Sequence, residues 1–273
     1  MNLIKTVNEL VRERMDECAD VGADKFINSV RPIYGSDERE NPYHIGSCVL
    51  IQVNDQKIIV TAAHVADNLN ISKLYIGAKS KLVELGNEFK STVKPYGKRG
   101  DDHYDISFLK ISDSLQRDLD ELSFVNEHEM CLRLDYTKGR QFLALGYPRS
   151  KNKKYFAQDR LIKSHLYKYS SVVKNDNKLC KRLGVSGDQH LFLDFNSKKS
   201  RDYNGNIVNS LNPQGISGGA MLDMGRLANP NQYKTDAQCI GRLAGIFIEH
   251  KSEFKVMVAV RINCIIDMIN KYM

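Results

Sequence analysis

The sequence predicts an all-β fold with one helix at each end, and three observations carry that expectation. Short runs rich in apolar and β-branched residues, such as 57–62 and 191–195, recur along a chain of 273 residues. Turn-forming residues punctuate them, as Asn54 and Asp55 do between 46–53 and 57–62. Apolar residues at helical spacing are read near the two termini.

Taken in order, residues 1 to about 20 place Leu3, Ile4, Val7, Leu10, Val11 and Met15 on one face, with Lys5, Glu9, Arg12 and Glu13 between them. This amphipathic helix either packs on the body of the protein or docks a regulatory protein partner. The run Ser36 to Pro42 has no apolar residue before its Asn-Pro step and reads as a surface connection. Strands are expected at 46–53, 57–62, 72–78 and 82–89, then a polar loop over 94–103 and a strand at 104–110. Residues 112–138 are charged and weakly patterned, as a connection between two halves would be. Further strands are expected at 142–147, 161–173, 191–195, 220–222, 239–248 and 256–260. Ile265, Ile266 and Ile269 then share one face of a closing helix over 262–273.

The chemistry concentrates in Asn212-Pro213-Gln214-Gly215-Ile216-Ser217-Gly218-Gly219-Ala220. A serine between glycines can stand bare at a tight turn, with backbone N–H groups free to face the carbonyl it attacks. By itself this motif also fits a plain turn, so a base and its orienter decide. His64 closes an apolar strand at an Ala-Ala-His step, and Asp105 heads the alternating run Ile106 to Lys110. Asp101, Asp102 and His103, beside it, read as solvated loop. An α/β-hydrolase elbow would need its acid and histidine after the serine, whereas both precede Ser217.

With His64, Asp105 and Ser217 in that order, the chain resembles the trypsin/chymotrypsin-like serine proteases, closest to the bacterial branch that includes the HtrA type. In that family a Thr-Ala-Ala-His segment supplies the base, an Asp-Ile-Ala-Leu-Leu-Lys-like segment the acid, and Gly-x-Ser-Gly-Gly the nucleophile. The Gly146-Tyr147-Pro148 step also resembles its bacterial members. The resemblance runs from about Gly46 to the C-terminus. It implies two six-stranded antiparallel β-barrels of the chymotrypsin type, with domains at 43–127 and 128–273 after an N-terminal helix and connection at 1–42. It also implies an oxyanion hole from the N–H groups of Gly215 and Ser217, and a primary substrate pocket near Leu211, Ile248, Glu249 and His250. Leu211 argues against an acidic pocket floor, while Glu249 could attract a basic side chain. The residue before the serine is Ile216 and not the aspartate of the trypsin branch, so activation by a newly cut N-terminus is not expected. No metal or cofactor is implied.

The six cysteines lack the bridge partner that follows the histidine in secreted relatives, since that place is Val65, and six free thiols are expected. The N-terminus lacks the apolar core of a secretion signal, and no stretch approaches the roughly 20 apolar residues of a membrane span. A cytoplasmic protein with no membrane partner is therefore expected. The net charge is +7, and Lys and Arg crowd residues 149–182 with Tyr155, Tyr167 and Tyr169 among them. A solvated face explains this more simply than a nucleic-acid groove, so nucleic acid is disfavoured as a partner. Three functions stay open: a protease acting on protein or peptide substrates, a catalytically dead binding module on the same fold, and a basic nucleic-acid-binding protein.

Overall fold

The computed structural model describes residues 5–79, 81–134, 137–152, 164–174, 176–198, 200–201, 206–226, 239 and 241–272. Helix α1 (Val7–Phe26) opens with Thr6 and Glu9 in a reciprocal capping box, which satisfies two of the backbone donors that a helix start leaves unpaired. Its buried face carries Cys18, Ala19, Gly22, Ala23 and Phe26. Small residues there let the helix lie close to the second sheet: a side chain at Gly22 would meet Met224 at 2.9 Å and Leu143 at 3.2 Å. The helix thus packs on the protein body through its inner face.

Strands β1 (Val30–Ser36), β2 (Pro42–Val53), β3 (Gln56–Ala62), β4 (Leu74–Gly77), β5 (Leu82–Leu85), β6 (Lys90–Ser91) and β7 (Ile106–Lys110) form one antiparallel sheet in the order β5-β4-β1-β2-β3-β7-β6. Between β3 and β4 lies a four-residue helix, α2 (Ala63–Ala66). This sheet has seven strands where six were expected. The additional member β1 lies inside the segment 1–42 that was set apart as helix and connection, so the first sheet begins before residue 43. Its run of buried residues pairs with β2, and Ser36–Pro42 is the turn between the two.

The connection that follows carries α3 (Asp113–Asp118) and makes parallel bridges to both halves, Val125 with Ile51 and Met130 with Leu243. The second sheet contains β8 (Gln141–Gly146), β9 (Tyr167–Val172), β10 (His190–Asp194), β13 (Ala220–Gly225), β14 (Arg242–Lys251) and β15 (Val256–Arg261). Its order is β10-β15-β14-β13-β8-β9, and Val173 bridges Leu193 beyond the end of β9, so the sheet closes on itself as a barrel. In this half α4 (Asn177–Leu183) and the short strands β11 (Ser200–Arg201) and β12 (Ile207–Val208) were not foreseen. The first part of the strand expected at 161–173 lies outside the described residues. Helix α5 (Ile262–Tyr272) buries Ile262, Ile265 and Ile269.

Each sheet encloses its own apolar cluster, and a third fills the space between them. Val49, Ile51, Val60 and Phe108 meet Leu143, Leu222, Ile246 and Val260 there. That shared core fixes the two halves against each other and so fixes any site spanning their seam.

The expectation of six free thiols is corrected. Cys18 and Cys239 form a disulfide, with Cα atoms 5.1 Å apart, while Cys48, Cys131, Cys180 and Cys264 are free. Cys239 reads as a small strand hydrophobe in the sequence. Only the docking of α1 on the second sheet brings it to Cys18, 221 residues away.

Of the basic run, Lys168 pairs with Asp20 of α1, Lys174 lies 2.6 Å from Asp194, and Arg182 stands over the Phe254 ring. Lys153, Lys154, Tyr155, Arg160 and Lys163 lie outside the described residues. No described helix is long and apolar enough to cross a membrane.

Candidate active site

β3 delivers His64 to the seam. The strand ends at Ala62, and the short helix α2 turns the imidazole outward, with the Asn68 amide capping the turn by donating to the carbonyls of His64 and Val65 at 3.0 Å each. Asp105, just before β7, holds that turn at three points. Its carbonyl accepts from Ala63 N–H at 2.7 Å, one carboxylate oxygen accepts from His64 N–H at 2.9 Å, and the other lies 2.5 Å from His64 Nδ1. The backbone of Asp105 is left-handed, with φ 46°, a strained conformation that Asp tolerates better than most residues. A carboxylate facing Nδ1 keeps the proton there and leaves Nε2 as the basic nitrogen.

Behind the pair stands Arg99, whose guanidinium bridges Asp67 (3.0 Å) and Asp102 (2.6 Å) and passes 3.8 Å from the Asp105 carboxylate. Burial works to push the Asp67 carboxyl up, but Arg99 and Lys94 outweigh it and hold it below the usual carboxylate range. Asp102 is buried and also accepts from Thr92 Oγ1 at 2.5 Å and Tyr104 N–H at 3.1 Å, which corrects the reading of that residue as solvated loop. A sequence gives no sign that a loop aspartate is neutralised by an arginine three residues before it and buried with it.

Ser217 lies on the loop entering β13, anchored on both sides. Ser47 N–H donates to Ser217 O (2.8 Å), Ser47 Oγ donates to Gly215 O (3.0 Å), Arg149 N–H donates to Gln214 O (2.7 Å), and Gly218 N–H donates to Phe247 O (2.7 Å). Glycine is required where this loop runs closest to its neighbours. At Gly218, with φ 85°, a side-chain carbon would stand 1.9 Å from Ser47 O, and at Gly215, with φ 95°, 2.8 Å from Arg149 N. The Gln214 carbonyl is drawn toward Arg149, and the peptide is trans, so Gly215 N–H faces the other way. Among the described residues neither Gly215 N–H nor Ser217 N–H donates a hydrogen bond. Two unspent donors beside a serine hydroxyl are what a developing oxyanion needs.

His64 and Ser217 both line one cleft of about 510 Å³. Phe247, Ile248, Glu249, His250 and Met257 form one end of it, and Tyr43, His44, Ile45 and Arg149 the other. Ile248, Glu249 and His250 line this cleft, with Glu249 paired to Lys251 at 2.6 Å and the His250 ring edge-on to Phe195. Leu211 does not line the cleft; Asn212 and Pro213 do. Sequence reasoning missed Ser47, His44 and Arg149, which lie far in sequence from the serine motif, and also Asn68 and Arg99, which lie close to His64 and Asp105 but carry no local signal of their contacts. His44 is buried, with neither ring nitrogen hydrogen-bonded to a described residue, and burial, aided by the Arg149 charge, pushes its pKa down to about 4. Among the described residues, no group of three or more His, Cys, Asp or Glu side chains is placed to hold a metal ion.

The trypsin family model matches residues 21–263 of the chain. Comparison with curated proteins gives no match. Among solved structures, one similar chain is a Glu endopeptidase in complex with MPD, at 16% identity over 89% of each chain and a TM-score of 0.47.

Proposed function

Because the chain belongs to the trypsin family, we propose that it is a serine endopeptidase acting through an acyl-enzyme, with Ser217 as nucleophile, His64 as general base and Asp105 as the acid that orients the imidazole. The observation that carries this reading is the double engagement of His64 by Asp105, with Nδ1 at 2.5 Å, in the cleft that also exposes Ser217. Ser217 Oγ attacks the scissile carbonyl as its proton passes to His64 Nε2. The same proton then goes to the leaving amine, and water repeats the sequence on the acyl-enzyme. The unspent N–H groups of Gly215 and Ser217 receive the negative charge on the carbonyl oxygen; one such donor is worth about 3 kcal/mol in the transition state.

Ile216 supports activity without a cut N-terminus. It is buried in the apolar cluster of the second sheet, against Gly146, and offers no charge for an ammonium to pair with. A protein or peptide is the substrate class, and Ile248 to His250 form the wall of the acyl-side pocket. Hydrolysis of a casein-like protein tests the proposal: Ser217→Ala and His64→Ala should each lower turnover by about a millionfold, because the triad acts as a unit. Undiminished cleavage by either variant would overturn it.

A further inference from the structure

The mechanism uses one end of the cleft and leaves the other unexplained. Beyond Ser217 from Ile248, Tyr43, His44, Arg149 and Gln214 line a second hollow of about 390 Å³, and all four also line the main cleft, so the two are continuous. His44 is 4% exposed, yet among the described residues neither ring nitrogen has a hydrogen-bond partner; the Gly46 backbone nearby stays outside hydrogen-bonding geometry. Buried polar atoms are rarely left unsatisfied without a reason. Arg149 is exposed and makes no ion pair with a described residue, so its charge is unspent. None of the four residues carries a carboxylate. Among the described residues, the carboxylates that line the main cleft and its further extension, those of Glu249, Asp102 and Asp105, do not line this hollow and are paired with Lys251, Arg99 and His64.

We propose that this hollow is an anion subsite that binds a substrate carboxylate in the leaving half of the peptide, within about two residues of the scissile bond. The inference rests on the endopeptidase reading. If the acyl-side chain enters at Ile248 to His250, the chain on the far side of the scissile bond runs over Tyr43, His44 and Arg149. A guanidinium engages a carboxylate through two parallel N–H donors, and the neutral His44 imidazole adds an N–H donor from the groove floor. The same carboxylate could come from an acidic side chain or from a peptide's free C-terminus.

The test uses fluorogenic peptides with one fixed acyl half and Glu, Gln or Lys at the first and second leaving positions. Each is made both as the amide and as the free acid. We expect Glu peptides, or short free-acid peptides, to be cleaved with kcat/KM at least tenfold above their Gln or amide counterparts, and the pattern says which carboxylate is read. Arg149→Glu should reverse the order of Glu and Lys, and His44→Phe should shrink the Glu preference while raising KM. Equal rates for Glu, Gln and Lys in protein that takes a fluorophosphonate label would overturn the subsite, as would a preference unchanged in both variants. Absence of both labelling and cleavage would sink the endopeptidase reading itself.

Discussion

Ser47→Ala is the substitution that most sharply probes how the fold builds the site. Ser47 is fully buried on β2, in the first sheet, yet its hydroxyl donates to Gly215 O at 3.0 Å and accepts from Tyr147 N–H at 2.9 Å, both in the second half. Alanine fits the same space, so the change removes hydrogen bonds without a clash. It strands one buried carbonyl and one buried N–H. Each stranded group costs about 1–3 kcal/mol, and partial relaxation of the loop brings the pair to roughly 2–4 kcal/mol. Part of that relaxation is movement of Gly215, whose N–H must stay aimed at the oxyanion. A tenfold to hundredfold loss of reaction rate is therefore expected, equivalent to about 1.4–2.7 kcal/mol. Urea unfolding gives the first quantity, and the second-order rate of fluorophosphonate inactivation gives the second. Stability within about 0.5 kcal/mol of the parent would refute the accounting of the hydrogen bonds, since such a change is typical of a surface substitution. Lost stability with an unchanged inactivation rate would refute the coupling of Ser47 to the oxyanion loop.

Further outcomes separate neighbouring roles. Asp105→Asn should cripple hydrolysis while the chain stays folded, because the neutral amide neither fixes the Nδ1–H tautomer nor stabilises the imidazolium. Asp102→Asn should chiefly destabilise, since it leaves Arg99 without its 2.6 Å partner in a mostly buried site; the reverse result, read from casein hydrolysis and thermal melts, would mean the wrong acid has been assigned. Thiol counting on denatured, unreduced protein should find four free thiols, and Cys18→Ser should cost about 2–4 kcal/mol, as expected for a bridge closing so long a loop. His44 gives a pH signature. Between its unfolded value near 6.5 and its folded value of about 4, the unfolded chain binds the extra proton, so stability falls as pH drops through that window, by up to about 3 kcal/mol. A His44→Phe variant should show a shallower slope in urea midpoints from pH 6.5 to 4; an identical slope would exclude His44 as the source.

How much of this could be read from sequence follows the range of the interactions. The strands around His64 and Asp105 announce themselves because alternation and β-branched runs are local signals, and the two residues fall at strand ends where the structure places them. Strand β1 was hidden by a proline and a glycine in Val30–Ser36, which read as connection; pairing with β2 and β4 overrides that local preference. Helix α4 is short and mostly polar, with too few turns for a period to show. At the site, the motif residues were legible, whereas the parts that hold them were not. Ser47 acts across the seam between the two sheets, Arg149 holds Gln214 from another loop of the second half, Arg99 ties Asp67 to Asp102 within the first half, and Cys18 meets Cys239 only because α1 docks on the second sheet. Leu211 was expected in the pocket wall only from the family resemblance, and among the described residues Asn212 and Pro213 line the cleft while Leu211 does not.

The central claim is that Ser217 is an activated nucleophile. Intact-mass analysis after fluorophosphonate treatment, followed by peptide mapping, tests it on the full chain. The account predicts one adduct per chain, located on Ser217, formed on the 273-residue protein without prior cleavage and absent from His64→Ala. No adduct, an adduct on another serine, or labelling confined to a form cut before about Gly46 would contradict it.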